Sequence, residues 1–112
     1  HDRIATLRFV EDVPQTASHR TWSVVNDVDA QLAELKGRPL LVLWGEQDWC
    51  FDMKFYEGWL KRFPDAEREV YGDASHYVFE DAPDRVTAAL ERFFDGVHAG
   101  REQSHASSAA AE

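Results

Sequence analysis

The stretch Leu40–Asp48 constrains the fold more than any other part of the chain. It consists of an apolar run from Leu40 to Trp44, a glycine at position 45, and an aspartate shortly after it. An apolar run of this length, entered through a proline and left through a glycine, predicts a strand buried on both faces. Because Gly45 allows a sharp turn, we expect Asp48 at the carboxyl end of that strand, where open α/β sheets bind their ligands.

Helical and strand patterns alternate along the rest of the chain. The apolar spacing predicts three helices and a second short strand, with helix N-caps at Thr21, Asp52 and Asp81, a helix stop at Gly37, and the strand at 68–71. Strands that alternate with helices predict an α/β fold with a parallel sheet. Since two strands alone do not make a stable parallel sheet, the pattern favours a piece of a larger fold. The first residue is His1 and not methionine, so we expect a chain that is processed, engineered or a fragment of something longer.

The composition argues against several classes of protein. The chain has 112 residues, enough for one domain, and a net charge of −9, so we expect no nucleic-acid partner. No apolar run approaches the roughly 20 residues of a membrane helix, and we expect no membrane span. The single cysteine, Cys50, favours a reducing, cytoplasmic setting. The Ser/Ala-rich segment 100–112 has little to bury and is predicted to be a disordered tail.

Asp48 and His76 are the residues whose positions suggest chemistry. Each follows a predicted strand, and the carboxyl ends of neighbouring parallel strands lie at one edge of a sheet. A carboxylate that accepts a hydrogen bond from one imidazole nitrogen fixes the tautomer, so that the other nitrogen can take a proton. On spacing alone an alternative stays open, in which Asp48 stabilises a loop and His76 is a structural histidine.

Three segments in combination resemble the C-terminal third of an α/β-hydrolase. They are Arg38–Asp48 with its Trp-Gly-Glu-Gln-Asp ending, the Phe63-Pro64 pair, and Gly72–Pro83 with its histidine and acidic, proline-containing helix start. The sequence Asp48-Trp-Cys-Phe-Asp52 is most similar to the haloalkane dehalogenase and epoxide hydrolase branch, and in particular to the β-lactone decarboxylases of bacterial olefin synthesis. One departure is Ser75, where many relatives have glycine before the histidine.

The resemblance implies a role for each part of the chain. Residues 1–21 would be the connector from the cap domain to the core, and 22–99 the C-terminal part of the core. Asp48 would be the acid and His76 the histidine of a catalytic triad, whose Ser or Asp nucleophile forms an ester that water then attacks. Trp49, Phe51 and Tyr77 would line a site for a small apolar substrate.

The nucleophile itself is missing from the sequence. Only Gly96 and Gly100 have the spacing of a G-x-[SD]-x-G elbow, and the residue between them is His98. We therefore predict that the isolated chain is inactive and that its partner is the N-terminal half of the hydrolase. Two alternatives stay open: a non-catalytic α/β interaction module, or half of a two-chain enzyme.

The remaining polar and aromatic residues have simpler explanations. Asp52 is an alternative triad acid, but its position before Met53 favours an N-cap. Cys50 is expected to be a small buried apolar residue, since no base is near it in sequence. Core packing is an equal alternative for Trp49 and Phe51, and the favoured one for the residues from Tyr77 to Phe79. The histidines lack metal-site spacing, so we expect no metal and no other cofactor.

Overall fold

The structure, a computed structural model, describes the backbone of residues 3–109 and the side chains of residues 3–102. The chain divides into two compact units, His1–Arg38 and Pro39–Glu112. In chain order the elements are α1 (Arg3–Glu11), α2 (Trp22–Gln31), a 3₁₀ helix (Leu32–Leu35), β1 (Leu41–Gly45), α3 (Met53–Arg62), β2 (Glu67–Tyr71), α4 (Val78–Asp81) and α5 (Pro83–Ala109).

The first unit is helical and contains no buried residue in its helices. The single predicted helix is divided into α2 and the 3₁₀ helix. Gly37 ends this pair with a φ of 79°, a left-handed conformation that favours glycine, and its predicted role is confirmed. Thr21 stands before α2 as predicted, but its side chain makes no capping bond. Its hydroxyl instead donates to the carbonyl of Asp12.

The second unit is built on a two-stranded parallel sheet, and the predicted α/β class is confirmed. Leu41 pairs with Glu67 at one end of the ladder and Gly45 with Tyr71 at the other. Both strands therefore end at the same edge of the sheet. The crossover between them contains α3, which Asp52 caps by accepting a hydrogen bond from the Lys54 N–H at 2.9 Å. This confirms the N-cap predicted for Asp52.

The core of this unit lies beneath the end of the sheet and the start of α5. Tyr71, Ala74, Ala82 and Val86 are buried together, with Leu43, Val78 and Leu90 packed against them. The two alanines among the buried four allow the backbone of the 72–77 loop to lie close to the sheet end. Apolar packing of Ala74 therefore holds the loop that follows β2 against the core, in addition to the polar contacts described below.

Two predictions for the C-terminal region are wrong. Asp81 does not cap the third helix, because α5 begins at Pro83 and Asp81 is the last residue of the short helix α4. Its carboxylate has another partner, described below. Helix α5 also continues through Gly100 to Ala109, across most of the predicted disordered tail, while residues 110–112 lie outside the described chain. The tail is rich in alanine, with arginine, glutamate and glutamine, and these residues favour helix even without an apolar face to bury.

Candidate functional site

Asp48 is held by main-chain donors of its own loop. The loop leaves β1 at Gly45, and the Asp48 N–H donates to the Gly45 carbonyl at 3.2 Å. One carboxylate oxygen of Asp48, Oδ1, accepts from the N–H of Cys50 at 2.8 Å and from the N–H of Phe51 at 2.9 Å. These bonds fix the direction of the carboxylate and leave Oδ2 available for another donor.

The imidazole of His76 is that other donor. His76 Nδ1 lies 2.9 Å from Asp48 Oδ2, across a separation of 28 residues in sequence. The side chain of Asp48 is only 8% exposed, and that of His76 is 33% exposed. The predicted convergence of the two residues at the carboxyl edge of the sheet is therefore confirmed. Their catalytic roles remain predictions.

The surroundings of Asp48 keep its carboxyl group ionised. Burial opposes ionisation, but the hydrogen bonds from the Phe51 N–H, the His76 ring and the Cys50 N–H together outweigh it, so the pKa of Asp48 is lowered from 3.8. An ionised carboxylate can only accept hydrogen bonds, so the proton between the two side chains belongs to Nδ1 of His76. The neutral ring then has its lone pair on Nε2, which makes Nε2 the base of the pair.

Three contacts link the Asp48 loop to the His76 loop. The Gln47 N–H donates to the Ala74 carbonyl at 3.0 Å, and its side-chain amide donates to the Gly72 carbonyl at 2.9 Å. In return, the Ser75 hydroxyl donates to the Gln47 carbonyl at 3.2 Å. The two loops are thus joined through main-chain atoms beside both Asp48 and His76, which reduces the conformational freedom of the pair.

Gly45 is required by close approach of the two loops. A Cβ atom at position 45 would lie 2.1 Å from the Ser75 carbonyl oxygen and 2.7 Å from that of Ala74. Its φ is not positive, since Gly37 has the only positive φ within residues 3–109. Gly45 is therefore explained by space for the neighbouring loop, and the reason predicted for it, a sharp turn, is wrong.

Of the three predicted substrate-lining residues, two contact the His76 ring. The ring of Phe51 lies 5.4 Å from the imidazole in a tilted arrangement, and the ring of Tyr77 lies 5.0 Å away, edge to face. Trp49 is 86% exposed, and Tyr77 and Phe79 are also exposed, so core packing does not describe these three side chains. Cys50 is exposed as well, and the expectation that it is buried is wrong. Its part in the site is its main-chain N–H.

Three further expectations concern a nucleophile elbow, a metal site and a membrane span. Gly96, His98 and Gly100 lie inside the continuous helix α5, whereas a nucleophile elbow sits on a sharp turn between strand and helix. Among the residues whose structure is described, no three His, Cys, Asp or Glu side chains lie close enough to hold a metal ion. No helix within the described chain is long and apolar enough to cross a membrane.

The contacts of Gln47, Ser75 and Asp81 were not predicted from the sequence. Asp81 Oδ2 accepts a hydrogen bond from the Ser75 N–H at 2.7 Å, which explains why this acid is not a helix cap. Only the position of Ser75, directly before the histidine, carried a signal. No spacing rule identifies Gln47, since its bonds depend on how the two loops approach each other.

The chain belongs to the α/β hydrolase fold family, whose sequence model matches residues 8–83 and so includes both Asp48 and His76. It is 38% identical over 92 residues to cis-3-alkyl-4-alkyloxetan-2-one decarboxylase of Shewanella oneidensis, an alignment that covers 82% of this chain and 29% of the relative. The protein of the same name from Xanthomonas campestris is 34% identical over 94 residues, or 84% of this chain and 31% of the relative.

Haloalkane dehalogenase 2 of Mycobacterium tuberculosis is 41% identical over 63 residues, which cover 54% of this chain and 22% of the relative. The resemblance seen in the sequence is therefore confirmed for the family and for both groups of relatives. The chain spans less than a third of the length of each of these relatives. No solved structure matches it significantly.

Proposed function

We propose that this chain supplies the acid and the histidine of an α/β-hydrolase active site. The observation that carries the proposal is the 2.9 Å contact between His76 Nδ1 and Asp48 Oδ2, at the common edge where both parallel strands end. Asp48 orients the imidazole and stabilises its protonated form, while Nε2 of His76 accepts the proton. The nucleophile comes from a segment outside these 112 residues.

The chemistry assigned to His76 follows from its tautomer. With Nδ1 protonated and donating to Asp48, Nε2 removes a proton from the attacking water as the water adds to an enzyme-bound ester. The resulting imidazolium is stabilised by the carboxylate, which remains ionised. The lowered pKa of Asp48 keeps the carboxylate ionised throughout the neutral pH range, as this role requires.

The proposed substrates are small and apolar. The rings of Phe51 and Tyr77 beside the imidazole favour an alkyl group over a charged one. A β-lactone with two alkyl chains is the first candidate, because the two relatives aligned over more than four-fifths of this chain are named as alkyloxetanone decarboxylases. Haloalkanes are the second candidate, supported by the shorter match to a dehalogenase, and simple esters and epoxides complete the proposed range.

Co-expression tests the proposal. This chain would be produced alone and together with a polypeptide that carries the nucleophile-bearing part of an α/β-hydrolase core. Both preparations would be assayed with a cis-dialkyl β-lactone (alkene and CO₂ release), a haloalkane (halide release) and a p-nitrophenyl ester. We expect activity only in the assembled protein, and we expect Asp48→Asn to lower it by about 10⁴-fold, as for loss of the aspartate in other triads.

Three outcomes would contradict the proposal. His76-dependent ester hydrolysis by the chain alone would place the nucleophile within these residues. Unchanged turnover after Asp48→Asn would remove the assigned role of Asp48. A non-catalytic interaction module would be favoured by two results together. The two polypeptides would fail to form a complex, and the chain would bind another partner with an affinity that does not change when Asp48 or His76 is substituted.

A further inference from the structure

Ser75, the residue before His76, forms two hydrogen bonds to neighbouring segments. Its N–H donates to Asp81 Oδ2 at 2.7 Å, and its hydroxyl donates to the Gln47 carbonyl at 3.2 Å. Its own carbonyl oxygen lies so close to Gly45 that a Cβ there would be only 2.1 Å away. The donors and the acceptor of this one residue are thus directed at α4, at the Asp48 loop and at the end of β1.

The hydrogen bond from the Ser75 hydroxyl connects the two loops next to the catalytic pair. It joins Ser75 to Gln47, and these two residues directly precede His76 and Asp48 in the sequence. The bond therefore restrains the relative position of the two main-chain segments that carry Asp48 and His76. The bond from the Ser75 N–H to Asp81 restrains the same segment from α4, and the close approach to Gly45 limits its movement toward β1.

We propose that Ser75 is a positioning residue, whose hydroxyl holds His76 Nδ1 within hydrogen-bond distance of Asp48 Oδ2. The proposal rests on the proposed function, because positioning matters to turnover only if the pair is catalytic. A misplacement of about 1 Å in a catalytic group can lower turnover by about 10²-fold. Loss of one neutral hydrogen bond on a partly exposed loop is a smaller perturbation, and corresponds to about a three- to tenfold change.

The test compares three substitutions in the active assembly. Ser75→Ala removes the hydroxyl, Ser75→Thr keeps it, and Ser23→Ala is the matched control on the exposed face of α2. We expect Ser75→Ala to lower kcat about three- to tenfold with KM changed less than about twofold. We expect Ser75→Thr to restore most of the loss, and Ser23→Ala to match the unsubstituted protein. A purely structural contribution would lower the melting temperature of Ser75→Ala and leave kcat of the folded assembly unchanged.

A second pair of substitutions tests the Ser75 N–H contact. Asp81→Asn keeps an oxygen acceptor for that N–H, whereas Asp81→Ala removes it. We expect Asp81→Ala to lower kcat in the same way as Ser75→Ala. We expect Asp81→Asn to retain most of the kcat of the unsubstituted assembly. Equal kcat values for Ser75→Ala and the unsubstituted assembly, or equal losses for the alanine and threonine variants of Ser75, would overturn the proposal.

A readout without turnover separates this proposal from the proposed function. Nitrogen NMR of the histidine rings in the 112-residue chain reports the fraction of His76 imidazole protonated at Nδ1, with His76→Ala used for assignment. We expect Ser75→Ala to lower that fraction and Ser75→Thr to preserve it. If no assembly turns over any substrate but the NMR result holds, the proposed function fails and the positioning by Ser75 stands. An unchanged Nδ1–H fraction in Ser75→Ala refutes the positioning even in an active enzyme.

Discussion

Substitution of Gly45 by alanine should uncouple the two loops of the site without disturbing either strand. The added Cβ would meet the Ser75 carbonyl oxygen at 2.1 Å, whereas ordinary contacts of this kind begin at 3.4 Å. The Ser75 oxygen must therefore retreat by about 1.3 Å, and the Ala74 oxygen, at 2.7 Å, must move as well. Both obstructing atoms are main-chain atoms, so rotation of a side chain cannot relieve the overlap.

The displacement is large enough to break the contact between the acid and the histidine. The Nδ1–Oδ2 distance is 2.9 Å, and a loop that moves as a unit by about 1.3 Å away from the sheet end would lengthen it to about 4 Å, beyond hydrogen-bond range. Overpacking a buried position of this kind destabilises proteins by about 1–3 kcal/mol. We expect a lower free energy of unfolding and a larger relative loss of turnover, as the catalytic pair depends on the loop position directly.

The matched control is Gly58→Ala. Gly58 lies inside α3, and a Cβ there would meet nothing within 4 Å. Because alanine is the better helix former, this substitution should stabilise the chain by about 0.5–1 kcal/mol. Urea denaturation of both variants measures the two stability changes, which should have opposite signs. Turnover of the assembled variants, and the protonation state of Nδ1 by NMR, report whether His76 and Asp48 remain in contact.

One result would refute the reasoning about Gly45. If Gly45→Ala were as stable as Gly58→Ala and kept the Nδ1–H signal of His76, the two loops would not be in the contact that the structure gives them. Loss of stability with a retained Nδ1–H signal would show that the backbone relieves the overlap without moving His76. Gly45 would then not control the distance between Asp48 and His76.

Three further predictions concern single groups near the site. Asp52→Ala removes the acceptor for the Lys54 N–H and should lower the free energy of unfolding by about 1 kcal/mol, measured by urea denaturation. Trp44→Phe removes the indole N–H that donates to the Phe51 carbonyl at 3.1 Å, and should destabilise the chain by about 1 kcal/mol or somewhat less, since this hydrogen bond is exposed and water can pair with the carbonyl. The pKa of Asp48 is lowered from 3.8, so the stability that its ionised form provides is complete above that pH and is lost as the pH falls through the lowered pKa. The difference in unfolding free energy between the unsubstituted chain and Asp48→Asn should therefore shrink below about pH 4, and a difference that stays constant from pH 6 to pH 2 would contradict it.

The approach of Asp48 and His76 to one edge of the sheet was predictable from the topology. Two neighbouring parallel strands end at the same edge of their sheet, so residues that closely follow each strand are brought near each other, and the loops then decide whether the side chains are in contact. The N-cap role of Asp52 was predictable for a similar reason, since the bond to a nearby N–H is local in sequence.

Contacts between the two loops were beyond prediction from the sequence. The bonds of Gln47 and Ser75 join segments that are 25 to 28 residues apart, and their formation depends on loop conformations that no local pattern specifies. Asp81 was assigned to a helix N-cap because it precedes a proline-containing helix start, but its carboxylate accepts from the N–H of Ser75 in the preceding loop. Cys50 is exposed because it lies in a tight turn. Its main-chain N–H donates to the Asp48 carboxylate there, and its side chain is directed away from the core.

Chemical rescue of His76→Ala tests the central claim most directly. The side chain of His76 is 33% exposed, so imidazole added to the solution has access to the space that the substitution leaves. In the assembled protein we predict that His76→Ala loses turnover by several orders of magnitude and that imidazole restores part of it in a concentration-dependent way. The rescue should fail in the double variant Asp48→Asn/His76→Ala, where the carboxylate that orients the base is missing. Full turnover by His76→Ala without imidazole would contradict the assignment of His76 as the base of this site.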